Sequence, residues 1–243
     1  MTVPIQLARN LTDQIYDAIV DEICDGRLTP GMHLVQEQLA ERFGVSRQPI
    51  QQAMARLKAD GMVEELGRRG LFVTLLNPTR MLQHYGIRAA LDGYAARIAA
   101  QRAKTDEVFV AVTRREGRAI LEAGKAAVAA GAVAEQIRLD DALHQLIYAA
   151  SGNPMIATTA EPHWRFLRRA MADVLRQAQP APEIWRQHAE ILEAVVSGDP
   201  QTAETRALAH VENAAQRLAS VLTETGGQAA PTRKTVANRK GHA

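Results

Sequence analysis

Residues 38–54 read QLAERFGVSRQPIQQAM, and their spacing predicts two short helices around a tight turn. Leu39 and Ala40 face inward from a helix around Gln36 to Phe43, which Gly44 breaks. Val45 bridges to the next helix, with Ser46 as N-cap and Pro49 in the first turn, where a missing N–H leaves no bond unmade. Ile50, Ala53, Met54 and Leu57 form its apolar stripe, and Gly61 stops it. Upstream, Leu11, Ile15, Ala18, Ile19 and Ile23 recur at helical spacing up to Gly26, followed by the loop RLTPG at 27–31. Downstream the period changes. Residues 62–66 and 71–76 predict two short strands joined by Gly67-Arg68-Arg69-Gly70, a hairpin with glycines where positive φ is needed.

Helix, helix, tight turn, helix and hairpin make a winged helix-turn-helix. The third helix turns Arg47, Gln48, Gln51 and Gln52 away from its apolar stripe, and its N-terminal end can enter a major groove. Arginine grips guanine or phosphate, and glutamine can bond adenine bidentately. Arg68 and Arg69 on the hairpin are placed to meet the DNA backbone or minor groove. Taken alone, the pattern also fits a solvated helix beside a surface hairpin.

Bulk charge does not decide between these. The chain has 243 residues with 29 basic and 27 acidic side chains, a net charge of +2. Four of the basic residues, Arg233, Lys234, Arg239 and Lys240, lie in a Gly- and Pro-containing segment at 226–243 that predicts a disordered basic tail. Hydrophobic content of 47% suits a globular protein, and no apolar run has the length of a membrane span. The start carries no secretory signal pattern, and the lone Cys24 leaves no internal disulfide, which together fit a reducing cytoplasm. Cys24 itself reads as a small buried hydrophobe.

Beyond Thr79 the pattern is entirely helical, near 80–102, 106–130, 134–151, 160–178, 183–197 and 200–223. Short connections between long amphipathic helices predict an antiparallel bundle. The fold class is therefore mainly α, with a DNA-binding unit at 8–77 and an all-helical unit at 80–223.

That bundle carries one polar constellation. Asp140 and His144 are spaced i, i+4 and share a helix face. His188 lies between Ile184 and Ile191, and His210 between Ala207 and Ala214, all at inward spacing. His188 is eleven residues before Asp199 and His210 eleven after it, so in an antiparallel hairpin both stand about 16 Å from the turn, at one height. Three imidazoles and a carboxylate make an N₃O set suited to Zn²⁺, Ni²⁺ or a similar divalent ion. A single inward histidine is more often a hydrogen-bonded core residue; the joint spacing is what favours a metal. His33, His84 and His163 read as surface or packing residues.

The stretch from Ile15 to Val73 resembles the DNA-binding domain of the GntR family through GRLTPGMHL, QLAERFGVSRQPIQQAM, LKADGMVE and RRGLFV. It departs at Gln51-Gln52, where the family usually has Arg-Glu and the arginine commonly contacts the operator, so Gln51 is expected to change the sequence read or the affinity. Arg47 matches the pattern. Residues from about Arg88 to Leu222 resemble the FCD effector domain of the fatty-acid-regulator-like branch, through IRAALDGYAARIAA, DDALHQLIYAASGNP and QHAEILEAVVSGDPQTAETRALAHVENA.

The resemblance implies a divalent metal on Asp140, His144, His188 and His210, a set that the acyl-CoA-binding branch lacks. It implies a small carboxylate effector at the metal, with Arg88 pairing the carboxylate, and a homodimer formed through the helical domain. The expected function is a transcription regulator, a repressor, released from operator DNA by linkage. Two alternatives stand beside it: a purely structural metal without effector, and a metal-dependent hydrolase. The second lacks an H-E-x-x-H arrangement, and helical phase turns Glu190 and Glu193 away from His188.

Overall fold

The computed structural model describes residues 11–24, 26–175 and 182–226, so the tail predicted at 226–243 falls almost wholly outside the described residues. Helix α1 (Leu11–Cys24) buries Ile15, Tyr16, Ile19, Val20 and Ile23 on one face. Cys24 is half-buried against the same core. Helix α2 (Gln36–Phe43) ends in Gly44 at φ +64°, which lets the Gly44 and Val45 amides turn back onto the last carbonyls of the helix. Helix α3 (Arg47–Ala59) buries the expected stripe of Ile50, Ala53, Met54 and Leu57. Ser46 has extended N-cap backbone, but its side chain makes no capping hydrogen bond.

The hairpin is present but shorter than its sequence pattern. Strands β2 (Val63–Glu65) and β3 (Leu71–Val73) pair antiparallel, joined by a 3₁₀ turn over Gly67–Arg69. At the base of the hairpin the Thr74 amide still donates to the Met62 carbonyl at 3.0 Å, while the Thr74 carbonyl accepts from the Arg169 guanidinium. A third strand, β1 (His33–Leu34), completes the order β1-β3-β2, with His33 opposite Phe72. Two residues are too few to show alternation, so this strand is invisible in the sequence.

Six further helices follow among the described residues. They are α4 (Pro78–Ala103), α5 (Glu107–Ala129), α6 (Val133–Ala150), α7 (Pro154–Leu175), α8 (Pro182–Val196) and α9 (Pro200–Gly226). Capping starts several of them: Asn77 accepts from the Arg80 amide at 3.0 Å, Asp106 from Phe109 at 2.8 Å and Asp199 from Thr202 at 3.1 Å. Helix α7 begins six residues before the predicted position 160. Asn153 accepts from the Met155 amide and Pro154 takes the first turn, so the helix runs through Pro162.

The larger core lies in this bundle around Trp164, Leu167, Val195 and Val211, all fully buried. Burying each such side chain contributes roughly 1.5–3 kcal/mol. A smaller cluster of Leu121, Leu139, Leu143, Trp185 and Leu192 joins α5, α6 and α8. Here Gly124 of α5 matters for what it lacks, because a Cβ would overlap the Trp185 ring. Its absence lets Trp185 lie against α5, with its ring centroid 5.0 Å from that of His188.

Arg169 of α7 joins the two halves. Its fully buried guanidinium donates to the carbonyls of Met62, at 3.4 Å, and Thr74. Replacing Gly124 by alanine forces Trp185 off α5, and overpacking of this kind costs about 1–3 kcal/mol. Gly124→Ala should therefore lower the urea midpoint with an unchanged m-value, whereas the exposed Gly131→Asn should change it far less.

Candidate functional site

Asp140 on α6 begins the site. One helical turn on, His144 projects from the same face; α8 brings His188 and α9 brings His210 from their hairpin. One ligand atom from each of the four lies within 4.8 Å of the other three. His188 Nε2 stands 3.0 Å from His210 Nε2 and 3.2 Å from Asp140 Oδ1. Ligand atoms bound about 2.0–2.2 Å from one divalent ion stand about 3–4 Å apart, so the donor set fits such an ion.

Three atoms of the cluster, Asp140 Oδ2, His144 Nε2 and His188 Nδ1, are buried and have no hydrogen-bond partner. An unpaired buried polar group costs roughly 1–3 kcal/mol, and more when charged. A bound cation removes that cost for the lone pairs that face it.

A second layer orients these groups, and sequence reasoning missed it. Asp92 of α4 is buried, with Oδ2 3.2 Å from His144 Nδ1 and 3.1 Å from Arg88 Nε. Its other oxygen accepts from the Tyr148 hydroxyl, which itself accepts from Trp164 Nε1 at 3.2 Å. Gln187 Oε1 accepts from His210 Nδ1 at 3.0 Å. With Nδ1 donating outward, His144 and His210 both turn an Nε2 lone pair toward the centre. The Arg88/Asp92 spacing of i, i+4 was readable as an ion pair, but nothing in the sequence aimed it at His144.

Electrostatics suit a cation. Burial pushes the His188 and His210 imidazoles below their ordinary value, so both are neutral, the form that binds metal. Burial opposes ionisation of Asp140, but the hydrogen bond from His188 and the nearby Arg88 charge help to outweigh it and hold the carboxyl below the usual range. Burial opposes ionisation of Asp92 too, and the Arg88 charge overcomes it.

A cavity adjoins the cluster, with Asp140, His210, Arg88 and Tyr85 in its wall. Arg88, the residue expected to pair with an effector, lines this cavity beside the centre. It is not a free cation, however. Its Nε is committed to Asp92 and its guanidinium lies 3.7 Å over the Trp164 ring. Glu190 pairs with Arg186 and Glu193 is exposed, both away from the cluster. His33 stacks on Phe72, and His84 and His163 pair through their Nδ1 atoms at 3.0 Å.

At the other end of the chain, Arg47, Gln48, Gln51 and Gln52 are exposed on α3. Arg47 reaches Glu37 of α2 at 3.3 Å, and Gln52 accepts from the Thr12 hydroxyl at 2.9 Å, which draws it toward α1. Arg69 is exposed on the wing; the Arg68 side chain lies outside the described residues. No helix among the described residues is long and apolar enough to cross a membrane.

Known proteins share these features. Residues 11–73 match the bacterial regulatory proteins of the gntR family, and residues 83–213 match the FCD domain. The HTH-type transcriptional regulator YdhC of Bacillus subtilis is 28% identical over 211 residues, covering 87% of this chain and 92% of that one. A probable D-xylose utilization operon transcriptional repressor of Paenarthrobacter nicotinovorans is 27% identical over 204 residues, covering 83% and 85%. The fold is that of E. coli McbR/YncC, with a TM-score of 0.71 at 20% identity, covering 90% of this chain and all of that one. The chain therefore belongs to the gntR family of bacterial regulatory proteins, as a DNA-binding transcription regulator, not an enzyme, with a winged helix-turn-helix ahead of a helical FCD domain.

Proposed function

We propose that this chain is a cytoplasmic homodimeric repressor whose operator affinity is set by a small organic acid bound at a divalent metal. Asp140, His144, His188 and His210 hold the ion, Zn²⁺ or Ni²⁺ by ligand type. The observation that carries this is the convergence of one carboxylate and three imidazoles from three separate helices, with Asp140 Oδ2 and His144 Nε2 buried and unpartnered. When bound, the ion supplies a fixed positive charge that attracts a carboxylate. The chain's own residues orient the imidazoles through Asp92 and Gln187, and set Arg88 in the cavity wall beside them.

On the DNA side, the functional unit spans 8–77 and reads the major groove with Arg47, Gln48 and Gln51, while Arg68 and Arg69 of the wing meet backbone or minor groove. The effector unit spans 80–223 and carries the dimer contact. Ile87 and Tyr94, seven residues apart on α4, are half exposed and supply an apolar stripe for it. Paired half-sites require two readers, so dimer geometry determines operator affinity. The Paenarthrobacter relative's name supports repression. Helix α7 supports linkage between sites: Met171 and Leu175 line the cavity while Arg169 holds the wing-proximal backbone.

His188→Ala removes one ligand and should leave metal content well below one ion per chain by elemental analysis, with operator binding in gel shifts retained. Full metal content in that variant would overturn the ligand assignment. Arg47→Ala should weaken operator binding by about 1–3 kcal/mol at fixed salt. An unchanged gel-shift midpoint would place α3 elsewhere than in the groove.

A further inference from the structure

Each helix that supplies a ligand continues along the cavity with apolar residues. From Asp140 the face of α6 passes to Ile137; from His188, α8 passes to Trp185 and Ile184; from His210, α9 passes to Ala214 and Leu218. Along α8 and α9 this is the same direction, away from the Asp199 turn, and the α9 run covers about 12 Å. Helix α7 closes that side with Met171, Val174 and Leu175. Away from the metal end the polar wall residues are Gln136 and Arg217, and Arg217 is already partnered within the fold. Gln136 already donates its amide to the Ala127 carbonyl, so it cannot serve a ligand hydroxyl with that group.

At the metal end stands a group with no task in the fold. The Tyr85 hydroxyl is buried, 2% exposed for the residue, lines the cavity and has no hydrogen-bond partner. Burial keeps it protonated, hence a donor. Arg88 lines the same wall, and its bond to Asp92 uses Nε, not the Nη nitrogens.

We propose that the cavity takes a monocarboxylate with an apolar body, its head between the Tyr85 hydroxyl and Arg88 at the metal end and its body against Met171, Trp185 and Leu218. This rests on the organic-acid reading above and narrows it. A sugar acid of the same charge would bury hydroxyls against Ile137, Met171, Val174, Leu175 and Leu218, which offer them no partner, and each unpaired one is costly. Specificity then comes from desolvation of the body, and position comes from the two donors on α4.

The test uses full-length, zinc-loaded protein in thermal-shift and calorimetric titrations with hexanoate, phenylacetate, phenylacetamide and gluconate. Hexanoate or phenylacetate should raise the melting temperature, with phenylacetamide and gluconate inert. Tyr85→Phe, which keeps the ring, should weaken carboxylate binding about tenfold while zinc content stays at the wild-type level. Binding of gluconate in preference to both apolar acids would overturn this inference and leave the organic-acid reading standing. Absence of binding by every acid would overturn both. Equal affinity in Tyr85→Phe would remove the role assigned to that hydroxyl. The ligand comparison needs no variant, so it decides the ligand class even if Tyr85→Phe folds poorly.

Discussion

Asp92 carries a full negative charge into the middle of a helical bundle, and much of the surrounding structure answers to that charge. An isolated buried carboxylate is costly, so it persists only with its oxygens occupied. Arg88, His144 and Tyr148 occupy them, and Trp164 adds a further hydrogen bond through the Tyr148 hydroxyl. The network spans α4, α6 and α7, so satisfying one charge fixes three helices relative to one another. Fully paired networks of this kind specify a single arrangement, because every alternative leaves a member unsatisfied.

The same network determines what His144 can do. Its Nδ1 is taken by Asp92, so its Nε2 faces His188 and His210 with a lone pair. Gln187 does the same for His210 from one position before His188 on α8. Three imidazoles packed together would repel if protonated. Burial keeps His188 and His210 neutral, and the nearby Asp140 carboxylate supplies the negative charge that a cation requires.

Helix α7 ties this interior to the DNA-binding half. Trp164 lies beneath the Arg88 guanidinium, Met171 and Leu175 line the cavity, and between them Arg169 is buried against the carbonyls of Met62 and Thr74 at the base of the wing. Arg165, one turn before Arg169, lies 5.4 Å from the centre of the Tyr16 ring on α1. A single rigid helix therefore touches the cavity and two elements of the winged domain. That is the arrangement an equilibrium biased from both ends would need.

Much of this was written in the one-dimensional pattern. The stripe Ile50, Ala53, Met54 and Leu57, the break at Gly44 and the stop at Gly61 are local events, determined by spacing and turn chemistry. The convergence of His188 and His210 was legible for the same reason, since both are counted from one turn. Asp92, Gln187 and Tyr85 were not. Their roles are contacts between helices whose relative rotation no spacing within a single helix specifies. The two-residue strand β1 and the early start of α7 escaped as well, one being too short for any period and the other hidden behind Pro162. Arg88 shows the division most plainly. The family resemblance assigned it to a carboxylate, but packing decided that its Nε belongs to Asp92, because a guanidinium buried that deeply needs a counter-charge within reach.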